Sequence, residues 1–115
     1  LAKVDRTRID VSTGLFKEMG FVEIIKGWIP ESLDCAAKDR RYALVHVDVD
    51  LYEPTKAALK HFLPRMPKGA LLVFDELNNR TWPGETIAVL ETCGLKNLHI
   101  QRFPFEPYLS YAVLD

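Results

Sequence analysis

The chain has 115 residues, 48% of them hydrophobic and 27% charged, the size and composition of one globular domain rather than a disordered or fibrous chain. Fifteen Lys and Arg against sixteen Asp and Glu leave a formal charge of -1, with no basic stripe for a nucleic-acid backbone and no apolar run long enough to span a bilayer. Cys35 and Cys93 are too few for a disulfide scaffold and lack metal-ligand spacing, so the expected compartment is reduced and cytoplasmic, with both thiols buried and inert.

The first twenty residues are weakly patterned, with Leu15, Phe16 and Met19 offering a short helix face closed by Gly20. Residues 21–29 are β-rich and stop at Pro30, which predicts a strand over 21–27 and a turn. Pro30, Glu31 and Ser32 open a short helical stretch. Residues 43–47 and 70–74 are nearly continuous apolar runs that stop at acids, and they predict strands near 43–49 and 70–75, parallel and covered on both faces. Between them a helix over about 53–65 carries Ala58, Leu59, Phe62 and Leu63 in one apolar stripe. A polar loop, 78–84, leads to a short helix with Ile87 and Leu90 that ends near Gly94. Two further strands, 98–103 and 108–114, form a hairpin, because the link between them is too short for a parallel crossover. The order β-α-β-α-β-α-β-β predicts an α/β fold, one domain over 1–115. Its sheet is parallel except at the last strand, so an antiparallel pair closes one edge.

The acids carry the chemical information. Asp48 and Asp50 end one buried strand, and Asp75 and Glu76 end the other. Ligands of open α/β sheets bind outside the carboxyl ends of the strands. Acids just after strands also serve as helix caps or solvated loop ends. Two pairs at matched positions favour a shared site, and three or four converging carboxylates call for a hard divalent cation such as Mg²⁺. His46 lies on the side of Asp48 and Asp50, two residues deeper, and reads better as a buried, hydrogen-bonded histidine than as a base. His61 reads as an exposed helix residue. Trp28 suits either a stacked ligand or the core. The loop around Trp82 suits a substrate lid or plain surface, and Phe103, Phe105 and Tyr108 read as packing at a hairpin tip. No G-x-x-x-x-G-K-[ST], G-x-G-x-x-G or G-x-S-x-G motif is present.

The stretch HVDVDLYEPTKAALKHFLPRMPKGALLVFDEL, from His46 to Leu77, resembles the macrocin O-methyltransferase family of class I S-adenosylmethionine-dependent enzymes. Asp48, Asp50, Leu51, Tyr52, Glu53, Thr55, Lys56, Ala58 and Leu59 fill its first motif. Gly69 and Asp75-Glu76 fill the second, with Glu76 where many relatives have Asp. The upstream segment IIKGWIPESL is similar to the family's adenine-side strand and loop. The resemblance covers residues 20–115. It implies a Rossmann-like methyltransferase sheet and a divalent-metal-assisted O-methyltransferase acting on a small-molecule hydroxyl, of a sugar or other natural product. It implies metal ligands Asp48, Asp75 and Glu76, with Asp50 as base or fourth ligand, and a cofactor contact at Gly27 and Trp28. The family's first strand with its glycine-rich turn, and its second strand with a ribose-binding acid, have no counterpart in this sequence. The chain therefore reads as the C-terminal half of the domain, expected to be inactive alone, with open strand edges that invite pairing with another copy or aggregation. Two other readings remain at this stage: a nucleotide-sugar or phosphate-processing enzyme using the acids for metal alone, and a non-catalytic half-domain that pairs with another chain.

Overall fold

A computed structural model describes residues 20, 22–36, 38–94 and 97–115. The expected N-terminal helix face at 15–19, and Phe21, lie outside the described residues.

Two β-α units and a hairpin make the fold. Strand β1 is Leu44–Val47 and helix α1 is Tyr52–Phe62, continued by a single 3-10 turn at Leu63–Arg65. Strand β2 is Leu71–Phe74, helix α2 is Gly84–Cys93, and β3, Gln101–Arg102, and β4, Ser110–Val113, form the hairpin. An isolated 3-10 turn, Glu31–Cys35, lies where the sequence predicts a short helix.

Helix α1 starts where local chemistry allows. Pro54 sits in the first turn, where its missing N–H has no intrahelical partner to lose. The Thr55 hydroxyl donates to the Leu51 carbonyl at 2.6 Å. Glu53 in the first turn and Lys60 in the last complement the helix dipole. Pro54, Thr55, Ala58 and Leu59 are its buried residues, while Phe62 is half-buried and meets Tyr42 edge-to-face at 5.0 Å. Gly69 is left-handed (φ 85°), a conformation that glycine adopts without cost, and its N–H donates to the Leu114 carbonyl at 2.7 Å.

The sheet order is β1-β2-β4-β3. Strand β1 pairs parallel with β2, in register from Leu44 opposite Leu71 to Val47 opposite Phe74. Strand β4 is antiparallel to both its neighbours, so β1, β2 and β3 run one way and β4 the other, as expected. The hairpin folds back so that β4, rather than β3, docks on β2 and leaves β3 at the edge.

Alternation along the strands decides the core. Val45, Val47, Leu72, Phe74 and Ala112 point to one face and pack with Leu59, Met66, Leu77, Val89 and Cys93. Phe74 and Ala112 are fully buried. The opposite face carries Leu44, His46 and Val113 exposed. Cover on both faces was expected from the apolar runs; among the described residues the cover is on one, so the burial pattern reads alternately.

The expected strand at 21–27 is a correction. Residues 22–26 are in no strand, and Ile24 and Ile25 are exposed. A β-rich composition suits a pleated surface, but a strand also needs a ladder partner, and none of the described residues supplies one. The expected strand at 98–103 is ordered as a ladder only over its last part, Gln101–Arg102. Helix α2 turns a different face inward from the one its large apolar residues suggest. Ile87 and Leu90 are exposed, and Glu85, Ala88, Val89 and Cys93 are buried. Cys35 is exposed, against expectation, and burial pushes the Cys93 thiol pKa up. No helix among the described residues is long and apolar enough to cross a membrane.

Candidate active site

Parallel pairing brings the two acid pairs to one edge. Val47 and Phe74 are register partners, so Asp48 and Asp75 follow at the same level of adjacent strands, and the Asp75 N–H donates to the Val47 carbonyl at 3.1 Å. Desolvation holds the Asp48 carboxyl above its ordinary value, reinforced by the charge of Asp75, a hydrogen bond with it, and the charge of Asp50; His46 opposes. Two carboxyls within hydrogen-bonding reach must share a proton or a cation.

The chain then turns sharply from β1 into α1. Asp50 has φ 58°, the left-handed region that a short polar side chain tolerates better than most, and the Leu51 N–H donates to the Val49 carbonyl at 2.6 Å. Asp50 is exposed. Glu76 is half-buried, and its Oε2 accepts from the Asn79 side-chain amide at 2.9 Å. Asn79 in turn accepts from the Thr81 N–H at 2.8 Å, and the Asn78 N–H donates to the Thr86 hydroxyl at 2.6 Å. Arg102 of the hairpin donates to the Leu77 carbonyl at 3.0 Å and fastens the loop behind Glu76 to the sheet.

His46 is not the buried histidine that its strand position suggests. It stands on the open face of the sheet with Nε2 3.6 Å from Asp75 Oδ1, an ion pair whenever the imidazole is protonated. His61, expected to be exposed, is half-buried on α1, and its Nε2 is a buried atom without a hydrogen-bond partner.

Glu85 is the residue that sequence reasoning missed. It lies in the first turn of α2, fully buried, with neither carboxylate oxygen hydrogen-bonded. Burial, then the charges of Asp50, Asp48, Asp75 and Glu76, push its pKa up to about 7. The close approach of the two helices explains its seclusion. A Cβ on Gly84 would lie 2.6 Å from the Tyr52 amide nitrogen, so only glycine lets the start of α2 abut the start of α1. The available signal was the spacing of Glu85, Ala88, Val89 and Cys93, one helical stripe with an acid at its head.

Gly27 and Trp28 are placed elsewhere. With Lys26, Glu31 and Ser32 they line a shallow cavity of about 350 Å³ whose lining includes none of these acids. Gly27 has φ 157°, and a Cβ there would meet Ser32 Cβ at 3.0 Å. Trp28 and Trp82 are both exposed. Among the described residues, no three His, Cys, Asp or Glu side chains form a group that could hold a metal ion as they stand. The donor chemistry still fits a hard cation: carboxylate oxygens only, two of them already adjacent, and a buried carboxylate without partners close by.

A family model described as macrocin-O-methyltransferase (TylF) matches residues 11–95. The chain belongs to the macrocin-O-methyltransferase family. Over 55 residues it is 34% identical to the 8-demethyl-8-(2,3-dimethoxy-alpha-L-rhamnosyl)-tetracenomycin-C 4'-O-methyltransferase of Streptomyces olivaceus, a match covering 48% of this chain and 21% of that enzyme. Among solved structures it is similar to apo CalS11, a TDP-rhamnose 3'-O-methyltransferase of calicheamicin biosynthesis. That likeness has 39% identity and a TM-score of 0.65, over 74% of this chain and 36% of the other. The O-methyltransferase NovP shares the fold at a TM-score of 0.71 and 20% identity, over 91% of this chain and 44% of that one. The chain thus spans less than half the length of each of these relatives, from 21% to 44%. The methyltransferase-type α/β fold expected from the sequence is the fold these neighbours have.

Proposed function

We propose that the full-length protein is an S-adenosylmethionine-dependent, divalent-metal-assisted O-methyltransferase that acts on a sugar hydroxyl of a natural product or its activated precursor. The observation that carries this reading is the meeting of Asp48 and Asp75 at the carboxyl edge of adjacent parallel strands, with Asp50 and Glu76 beside them, inside the region the family model matches. The relatives' names supply the acceptor class, since two of them methylate rhamnose or a rhamnosyl unit.

Asp48, Asp75 and Glu76 would hold the cation, and a cation there lowers the pKa of the acceptor hydroxyl. Asp50, held at the turn into α1 and open to solvent, takes the hydroxyl proton. S-adenosylmethionine supplies the electrophilic methyl group. When bound, it would give that methyl to the acceptor oxygen that Asp50 deprotonates and would leave as the neutral thioether. Asn79 keeps Glu76 turned into the loop. Gly27 and Trp28 offer an open aromatic face for the adenine ring.

The test is turnover of S-adenosylmethionine by the full-length protein with TDP-rhamnose and with rhamnosyl glycosides, in Mg²⁺ and in chelator. Methyl transfer should require Mg²⁺. Asp75→Asn, which removes one charge at almost constant volume, should abolish it with the circular dichroism spectrum unchanged. Undiminished Mg²⁺-dependent transfer by that variant would remove Asp75 from the site.

A further inference from the structure

Five carboxylates gather where α1 and α2 begin, and one of them has no solvent to stabilise it. Asp48, Asp50, Asp75 and Glu76 are exposed or half-buried, so water answers part of their charge. Glu85 has 0% exposure and no hydrogen-bond partner on either oxygen, yet all four of the others act on it. A proton on Glu85 removes its own charge but leaves both oxygens unpartnered, and it leaves the other four carboxylates repelling one another. The helix ends offset only part of this. Neither α1, capped at Leu51, nor α2, capped at Pro83, has a side-chain cap, so both present free N–H groups and positive dipole ends nearby. Partial charges of that kind do not balance five acids.

We infer that Glu85 is a positioning residue for a divalent cation at this edge, a buried carboxylate at the head of α2 beside the four strand-end acids whose charge draws the ion inward and fixes its place. The inference rests on the metal-assisted reading above and adds to it a residue that lies outside both strand-end motifs. Three details support the placement. Glu85 is in the first turn of α2, immediately after the 78–84 loop that carries Asn79 against Glu76. The glycine before it lets α2 approach the α1 backbone more closely than any side chain would permit, which fixes where its carboxylate sits. It also lies on the buried stripe with Ala88 and Val89, a position that an apolar residue would fill at lower cost if packing were its only task. Glu85 is assigned the support of the ion rather than direct contact, because it is fully buried while Asp48, Asp75 and Glu76, which would hold the ion, are exposed or half-buried.

The two states should respond oppositely to its removal, which a merely structural acid would not reproduce. The experiment uses the full-length protein and Mg²⁺ alone as probe, with binding followed by calorimetry and melting followed with and without the ion. In Glu85→Gln the metal-free protein should melt higher than the parent, because a buried unpaired charge is gone. Its Mg²⁺ affinity should fall by about tenfold or more, the usual effect of removing a group that supports metal ligands. The Mg²⁺-induced rise in melting temperature should shrink accordingly. Should Glu85→Gln fail to fold, Glu85→Asp keeps the charge but withdraws it by one methylene, and lower Mg²⁺ affinity is again the expected result. Parent-like Mg²⁺ affinity in the folded variant overturns the inference. If the parent binds Mg²⁺ and Asp75→Asn alone loses it, the metal-assisted reading stands and only the role of Glu85 falls. If the parent binds no Mg²⁺, both fall together.

Discussion

Gly84→Ala tests the helix contact on which the site is built, and its two energetic effects have opposite signs. On helix propensity alone, alanine is favoured over glycine by up to about 1 kcal/mol, less at a first-turn position such as this one. Sterically, the new Cβ would stand 2.6 Å from the Tyr52 amide nitrogen and 3.3 Å from both the Leu51 carbonyl carbon and the Tyr52 Cα. All three atoms are backbone, so no side chain can swing aside, and the start of α2 must back away from the start of α1. Overpacking of this kind costs about 1–3 kcal/mol, and near the upper end when the obstacle is main chain. The steric effect therefore wins, with a net loss of about 1–2 kcal/mol, or roughly a fivefold to thirtyfold drop in the folded-to-unfolded ratio. Guanidinium unfolding of the full-length protein, parent against variant at constant slope, measures it. A variant as stable as the parent, or more stable, would show that the helices are not in contact at Gly84 and would refute the packing described here.

Phe74→Ala empties a fully buried position between the sheet and both helices and should destabilise by about 3–5 kcal/mol in the same unfolding assay; a loss under 1 kcal/mol would place Phe74 outside the core. His61 titrates in the opposite sense to a surface histidine. Desolvation, then the charges of Arg65 and Lys38, lower its pKa from 6.5, so its contribution to stability is fully present above pH 6.5 and is lost as pH falls through the lower folded value. His61→Gln should flatten that part of the pH-stability curve, and an unchanged slope would show that the imidazole is already solvated.

Much of the chemistry was legible in the chain because it depends on local order. Two apolar runs of strand length, each ending in a pair of acids and separated by one helical stripe, are sufficient to specify a β-α-β unit. Parallel pairing then puts Asp48 level with Asp75 without any further information, since the crossover returns each strand end to the same edge. The family pattern around Asp48, Leu51, Tyr52 and Asp75 was likewise readable in the sequence, and the family match spans that stretch. The features that sequence reading missed all depend on what packs against what. His46 alternates with buried neighbours, but whether its face is covered depends on where the helices lie, and both lie on the other side. Ile24 and Ile25 have strand-forming side chains, but a ladder needs a second chain segment alongside. Ile87 and Leu90 look like the buried face of α2 by hydrophobicity. The approach at Gly84 sets the rotation of that helix instead, turning Glu85, Ala88 and Val89 inward. Periodicity fixes which residues share a face, and only tertiary contact decides which face is buried. That is why a charged residue at the head of α2 became the most secluded acid in the site.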